Sequence, residues 1–349
     1  MKAEFTRKLL EWNASGNKRA LPWKGEKDPY RIWISEVILQ QTRVEQGWQY
    51  YERFITAFPS VHDLANGSEK KLFKLWEGLG YYSRCKNLHA SAKIISEKFK
   101  GVFPSSYNEI LSLKGVGPYT AAAIASFAFN LPYAVVDGNV ERVLSRYFGI
   151  NTPVASKDGK QLYAELANSL LDKDDPAGYN QAIMDFGAII CKPRHPLCKE
   201  CVQNEDCQAF QHGWVNDLPV KEKSLERKSR WFTYYIVQYK NKVYIRKRTN
   251  KDIWANLFEF ILNESPNESE QSIALKTETI RAVLGIDQFV IHSVSPYFKQ
   301  ALTHQTIRGQ FVTIVVKTQL NKKDFLLVGK DELNHFAFPK LINAFLHPS

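Results

Sequence analysis

From Lys2 to about Phe210 the pattern is helical, with apolar residues clustered at Ile32, Val37, Ile38 and Leu39 and recurring at four-residue spacing at Leu162, Leu166 and Leu170. That period gives each helix one apolar stripe, so this part of the chain is expected to be nearly all α. The pattern then changes. WFTYYIVQY (Trp231–Tyr239) and KVYIRKR (Lys242–Arg248) are rich in β-branched and aromatic residues and are separated by Lys240 and Asn241, and a third such run spans Gln310–Thr318. A helix is expected over Ser269–Leu284, which makes the last third α+β. Between the two patterns, VKEKSLERKSR offers few apolar anchors and reads as a linker. The expected division is a helical domain 1–212, a linker 213–229 and an α+β domain 230–349, with no internal repeat and no low-complexity tract.

The run LKGVGPYTAAAIASFAF, Leu113–Phe129, sets a tight turn against an alanine-rich helix. Gly115 and Gly117 permit backbone angles closed to other residues, and with Val116 between them the turn lets a ligand approach the backbone closely. Pro118 suits the first helical turn, where its missing N–H costs nothing. Outward N–H groups, backed by the positive end of the helix dipole, accept a phosphate without sequence preference. An ordinary glycine-marked helix start would look the same, so this run gains meaning only from its company.

VVDGNVERV, Val135–Val143, puts Asp137 at an N-cap position, where helical N–H groups would keep its carboxylate ionised. A plain N-cap is the simpler account of that residue alone. Glu36 supplies the contrast, because Trp33, Ile34, Val37, Ile38 and Leu39 surround it in sequence and such an environment raises a carboxyl pKa. Most helical glutamates lie on an exposed face. A protonatable carboxyl paired with an ionised one, however, is what acid–base enzymes use: one donates a proton while the other steadies a cation.

Charge narrows the partner. The 349 residues carry 47 Lys and Arg against 36 Asp and Glu, a formal net charge of +11, and the isoelectric point is near 9.2. A polyanion, foremost nucleic acid, is the expected partner. No secretion signal and no long apolar span is legible, so a cytoplasmic, nucleoid-associated protein without membrane contact is expected. Four of the five cysteines, Cys191, Cys198, Cys201 and Cys207, follow the pattern C-x6-C-x2-C-x5-C, while Cys85 stands apart. Four thiolates on a short loop suit tetrahedral zinc or a four-iron, four-sulfur cluster; spacing does not fully separate the two, although the wide first interval is unlike zinc hooks, and iron–sulfur is favoured once the rest of the chain is counted. Its expected role is to staple the loop. Lys192, Arg194, His195 and Lys199 between the ligands would face phosphate.

Taken together, WISEVILQQTRVE, WEGLGYYSRCKNL (Trp76–Leu88), the glycine turn, VVDGNVERV and the cysteine quartet resemble the MutY-type adenine DNA glycosylases of the endonuclease III superfamily. The resemblance covers essentially the whole chain. It implies a multidomain fold: an all-α helix-hairpin-helix glycosylase domain with an iron–sulfur loop holding a 4Fe-4S cluster, followed by an α+β Nudix-like domain. The implied substrate is double-stranded DNA with adenine opposite 8-oxoguanine, the adenine being flipped into a pocket, and a monomer is expected. Members that also cut the strand place lysine where this chain has Tyr119. A phenol forms no imine, so strand cleavage by that route should be absent, and Lys114 is expected to contact phosphate.

By the same resemblance, Glu36 protonates adenine N7, Asp137 stabilises an oxocarbenium-like sugar by charge or covalent capture, Tyr119 hydrogen-bonds near the carboxylates, and Asn139 orients Asp137 or the water. Gln41 and Tyr81 would wedge and stack around the lesion. Trp23, Lys24 and Gln181 would line the adenine pocket, Lys24 and Gln181 standing where relatives often have arginine and glutamate. Leu302, Thr303 and His304 match a Phe-Ser-His lesion-reading loop, with Leu302 lacking a stacking face. The acidic helix of Nudix hydrolases is missing, so nucleotide hydrolysis is not expected. An endonuclease III-like lyase for oxidised pyrimidines and a non-catalytic DNA-binding protein are the competing readings.

Overall fold

A computed structural model describes residues 2–19, 21, 24–42, 44–221, 227–249 and 252–348. They form two compact units, one of residues 1–66 with 87–223 and one of residues 67–86 with 224–349.

In the first unit, all regular structure among the described residues is helical. Its core gathers Phe5, Leu9 and Trp12 of the helix Lys2–Ser15 with Val140, Leu144 and Tyr147 of Gly138–Phe148, Tyr163 of Lys157–Leu170, and Phe186 of Pro176–Ile189. The helix Pro118–Phe129 buries Ala121, Ala122, Ala123, Ile124 and Ala125. So many small side chains allow close approach to the helix Pro29–Leu39, and Gln40 Nε2 donates to Thr120 Oγ1 at 3.1 Å across that contact. Asp28 caps Pro29–Leu39 by accepting from Tyr30 N, with Pro29 at the first position.

The second unit is built on a mixed sheet: β1 (Lys228–Tyr239), β2 (Lys242–Lys247), β3 (Phe258–Glu259), β4 (Ile261–Ser265), β5 (Val290–Val294), β6 (Phe298–Ala301), β7 (Gln305–Val316) and β8 (Leu326–Gly329). The main order is β3-β2-β1-β7-β5, with β1 and β7 parallel over their full length. One face buries Phe232, Tyr234, Phe311 and Leu341, the other Tyr235, Ile280, Val312 and Ile314. The three strands legible in the sequence correspond to β1, β2 and β7. The continuous helix expected over Ser269–Leu284 is instead broken: Glu268–Gln271 is α-helical, Ser272–Leu275 is a 3-10 turn, and Thr277–Leu284 is α-helical. Lys276 is extended at φ −73° and ψ 141°, which ends the helical path.

Two boundaries differ from those read along the sequence. Residues 67–86 cluster with the second unit because Phe73 packs into its core, Phe338 N donates to Glu77 Oε1 at 2.7 Å, and Lys247 pairs with Glu69 at 2.9 Å. Of the expected linker, the part before residue 222 stays on the first unit: Leu218 is buried, its carbonyl accepts from Arg146 Nε at 3.0 Å, and Val154 N donates to Val220 O. Lys228 and Ser229 already belong to β1.

Candidate active site and nucleic-acid interface

In the first unit a cleft of about 690 Å³ is lined by Glu36, Tyr119, Asp137 and Asn139, together with Arg19, Lys24, Gln41 and Gln181. Three helices converge on it. Pro29–Leu39 supplies Glu36, the first turn of Pro118–Phe129 supplies Tyr119, and the start of Gly138–Phe148 supplies Asp137 and Asn139. Burial pushes the Glu36 carboxyl up to about 7, against the opposing pull of a hydrogen bond from Tyr119, and the charge of Asp137 adds to the rise. The Tyr119 phenol is raised well above its ordinary value by burial and by both carboxylates, so it stays a donor.

Asp137 is the N-cap of its helix. Its Oδ1 accepts from Asn139 N at 2.9 Å and Val140 N at 2.8 Å, and its Oδ2 accepts from Asn139 Nδ2 at 2.6 Å. Asn139 is held in turn, because its Oδ1 accepts from Arg142 Nη2 at 2.9 Å. Arg142 also donates to the carbonyls of Gly187 and Cys191, both at 2.7 Å. Arg142 was not singled out in the sequence, although its place three residues beyond Asn139 puts both on one helix face.

The wall of the cleft has a second hub. Asp185 is fully buried and accepts from Arg19 and Asn17 at 2.8 Å, Gln181 at 2.9 Å and Lys24 at 3.1 Å. Lys24 and Gln181 therefore line the cleft while bonded to this carboxylate. Asp185 and Arg19 also escaped the sequence reading. Asp185 stands four residues after Gln181, a helical neighbour position that could have drawn notice. Trp23 lies outside the described residues.

At the glycine turn the two glycines differ. Gly115 has φ +79°, and a Cβ there would lie 2.6 Å from Asn87 Cβ. Gly117 corrects the expectation: as the N-cap of Pro118–Phe129 it sits at φ −97° and ψ 176°, ordinary extended backbone, and a Cβ on it would meet nothing within 4 Å. Its smallness leaves the surface open rather than satisfying the chain. Val116 is buried and anchors the turn, and Lys114 is exposed.

The four cysteines Cys191, Cys198, Cys201 and Cys207 line one cavity together with Arg146. Arg146 Nη1 donates to Cys191 Sγ at 3.5 Å and to Lys192 O at 2.8 Å. Burial and neighbouring thiols push Cys201 up to about 12 and raise Cys198 and Cys207. Among the described residues, no three His, Cys, Asp or Glu side chains converge on a single-ion site. Cys85 is buried.

In the second unit, Leu302, Thr303 and His304 form the turn between β6 and β7, closed by Leu302 N to Gln305 O at 2.8 Å and braced by Lys228 N to His304 O at 3.1 Å. This turn and Tyr81 share a cavity of about 730 Å³ with Lys86, Arg227 and Lys340. Tyr81 Oη and Thr303 Oγ1 are 2.7 Å apart. Gln41 and Tyr81 both adopt left-handed backbone, at φ +59° and +47°. Among the described residues, no helix is long and apolar enough to cross a membrane.

Residues 34–169 match the HhH-GPD superfamily of base excision DNA repair proteins, and residues 233–347 match the NUDIX domain. The chain is 35% identical to the adenine DNA glycosylase of Buchnera aphidicola subsp. Baizongia pistaciae, over 89% of this chain and 86% of the relative. It is 40% identical to the Homo sapiens adenine DNA glycosylase over 59% of this chain and 39% of that one. A thermostable thymine-DNA glycosylase superposes with a TM-score of 0.56 at 31% identity, covering 60% of this chain and 97% of that one. An endonuclease III–DNA complex, at 22% identity, TM-score 0.54 and coverage of 61% and 98%, shares the fold. The helical unit with its paired carboxylates, the Nudix-like unit and these relatives together place the chain in the family of MutY-type adenine DNA glycosylases, hydrolases of N-glycosyl bonds.

Proposed function

We propose that this chain excises adenine mispaired with 8-oxoguanine or guanine, acting as a monomer on double-stranded DNA at the nucleoid and leaving the strand uncut. The observation that carries the reading is the contrast in one cleft between Glu36, raised to about 7, and Asp137, held by three N–H donors. Glu36 gives its proton to adenine N7, and the C1′–N9 bond breaks with its electron pair passing to the base. Positive charge develops on the sugar, where the Asp137 carboxylate stabilises it. Water attacks C1′ and returns a proton to Glu36, giving adenine and an abasic site. Asn139, itself fixed by Arg142, keeps Asp137 aimed.

Tyr119 supports a hydrolytic rather than an imine route. Lys24 and Lys27 also line the cleft, but Lys24 is bonded to Asp185 and Lys27 Nζ donates to Phe127 O at 3.1 Å. Gly115, Val116 and Gly117 would present N–H groups to phosphate, Gln41 and Tyr81 would wedge at the lesion, Trp23, Lys24 and Gln181 would border the adenine, and Leu302, Thr303 and His304 would read the opposite base.

Four soft cysteine sulfurs around one cavity, with Arg146 donating to one of them, fit a 4Fe-4S cluster, which takes one thiolate per iron and would deprotonate them on binding. Cys191, Cys198, Cys201 and Cys207 would hold it, and the bound cluster would supply a rigid loop rather than a reacting group.

The test uses end-labelled duplexes carrying adenine opposite 8-oxoguanine, adenine opposite thymine, or an oxidised pyrimidine, with and without alkali. Alkali-dependent cleavage at the mispaired adenine alone is expected. Alkali-independent nicking at the pyrimidine would overturn the reading in favour of a lyase.

A further inference from the structure

Tyr81 follows Gly78 at φ +90° and Gly80 at +81°, and itself stands at +47°. Glycines adopt such angles freely, whereas a tyrosine there is strained and persists only where its surroundings impose the conformation. The surroundings are specific. The Gly80 carbonyl accepts from Trp76 Nε1 at 3.1 Å and from Arg84 Nη2 at 3.4 Å. The Arg84 guanidinium lies 5.3 Å from the centre of the Tyr81 ring and 5.5 Å from that of Trp76. At the far end of the ring, the Tyr81 hydroxyl meets Thr303. Burial lowers the Arg84 pKa to about 10, so it is a poorly hydrated cation at neutral pH, the condition in which attraction to an aromatic face is strongest.

We propose that Arg84 is a positioning residue for Tyr81: set against both rings and bonded to the Gly80 carbonyl, it holds the Tyr81 ring in left-handed backbone with its hydroxyl on Thr303, so that the wedge reaches DNA already formed. This rests on the reading of Tyr81 as the residue that enters the base stack. The ordering cost is then met during folding rather than at each encounter, which is the general advantage of a preorganised contact. Tyr81 is 46% exposed, so its ring is available to a base while its two ends are fixed.

The test uses the full chain and a duplex with 2-aminopurine beside 8-oxoguanine and a 2′-fluorinated deoxyadenosine opposite, which resists oxocarbenium formation and keeps the complex uncut. Entry of a ring into the stack raises the fluorescence of 2-aminopurine. Wild type is expected to show that rise. Arg84→Met should bind about five- to thirtyfold more weakly and, at saturating protein, lose most of the amplitude, which a merely structural role would leave intact. Arg84→Lys should restore part of it, and Thr303→Val should lower it without touching Arg84. A folded Arg84→Met protein with full amplitude overturns the proposal; if that variant does not fold, full amplitude in Thr303→Val overturns it. No rise with wild type, alongside cleavage of the unfluorinated mispair, overturns the wedge and its positioning while leaving the glycosylase reading standing.

Discussion

Replacing Glu36 with Gln should remove activity and add stability, and both effects follow from one group. The carboxyl is displaced upward from 4.5 to about 7, chiefly by burial. At pH 7 about half of the molecules then carry the proton, against roughly three in a thousand for an unshifted carboxyl. Above pH 7 the acid is lost, so the single-turnover rate of adenine release should fall as pH rises through about 7. Glu36→Gln cannot donate a proton, and a loss of about 100- to 10,000-fold is expected. Stability runs the other way. The folded state binds the proton more tightly than the unfolded one, so between 4.5 and about 7 it holds more protons and stability declines as pH rises, with the full penalty present above 7. The displacement corresponds to about 3 kcal/mol, and solvent at the cleft mouth reduces it to an expected 1–2 kcal/mol or so. Glu36→Gln should therefore be more stable than wild type at pH 8 and no more stable at pH 4, where Glu36 is protonated in both states. Alkali-developed cleavage of the mispaired duplex from pH 5 to 9, with urea unfolding at pH 4, 6 and 8, reads both. A wild-type rate that climbs through pH 7, or a stability advantage of the variant over wild type that is no larger at pH 8 than at pH 4, would refute the reasoning.

Other outcomes follow from the same geometry. Asp185→Asn leaves Arg19 and Lys24 without their buried counter-charge, and a loss of about 3 kcal/mol is expected from urea unfolding. Gly115→Ala, facing both a positive φ and a Cβ 2.6 Å from Asn87, should cost about 1–3 kcal/mol and weaken DNA binding, whereas Gly117→Ala should change thermal stability little. Arg142→Leu removes the donor that fixes Asn139, so the single-turnover rate should fall about tenfold or more with little change in duplex affinity. Cys198→Ser should lose the visible iron–sulfur absorption of the reconstituted protein together with salt-sensitive DNA affinity.

The chemistry of this chain was legible where a local pattern sufficed. The apolar neighbours of Glu36 announced a raised pKa, the step from VV to DGNV announced a cap, and the β-branched and aromatic runs in Trp231–Tyr239, Lys242–Arg248 and Gln310–Thr318 announced three strands of the sheet. Short strands such as β3 and β6 carry too few residues for a period of two to stand out, and the break at Lys276 has no glycine or proline to mark it.

Residue identity and near neighbours settled which groups have the chemistry for acid–base work and which sulfurs could ligate a metal, because pKa preference, capping and thiolate ligation are local properties. Only the tertiary structure decided that Asp185 gathers Arg19, Lys24 and Gln181, that Arg142 spans Asn139 and the cysteine loop, and that residues 67–86 pack with a sheet beginning at Lys228. Arg19 and Lys24 lie 166 and 161 residues from Asp185, and Glu77 lies 261 residues from Phe338, separations that no local period encodes. Such contacts form only when burial brings the partners together, and the low dielectric of the interior then makes each one costly to leave unpaired.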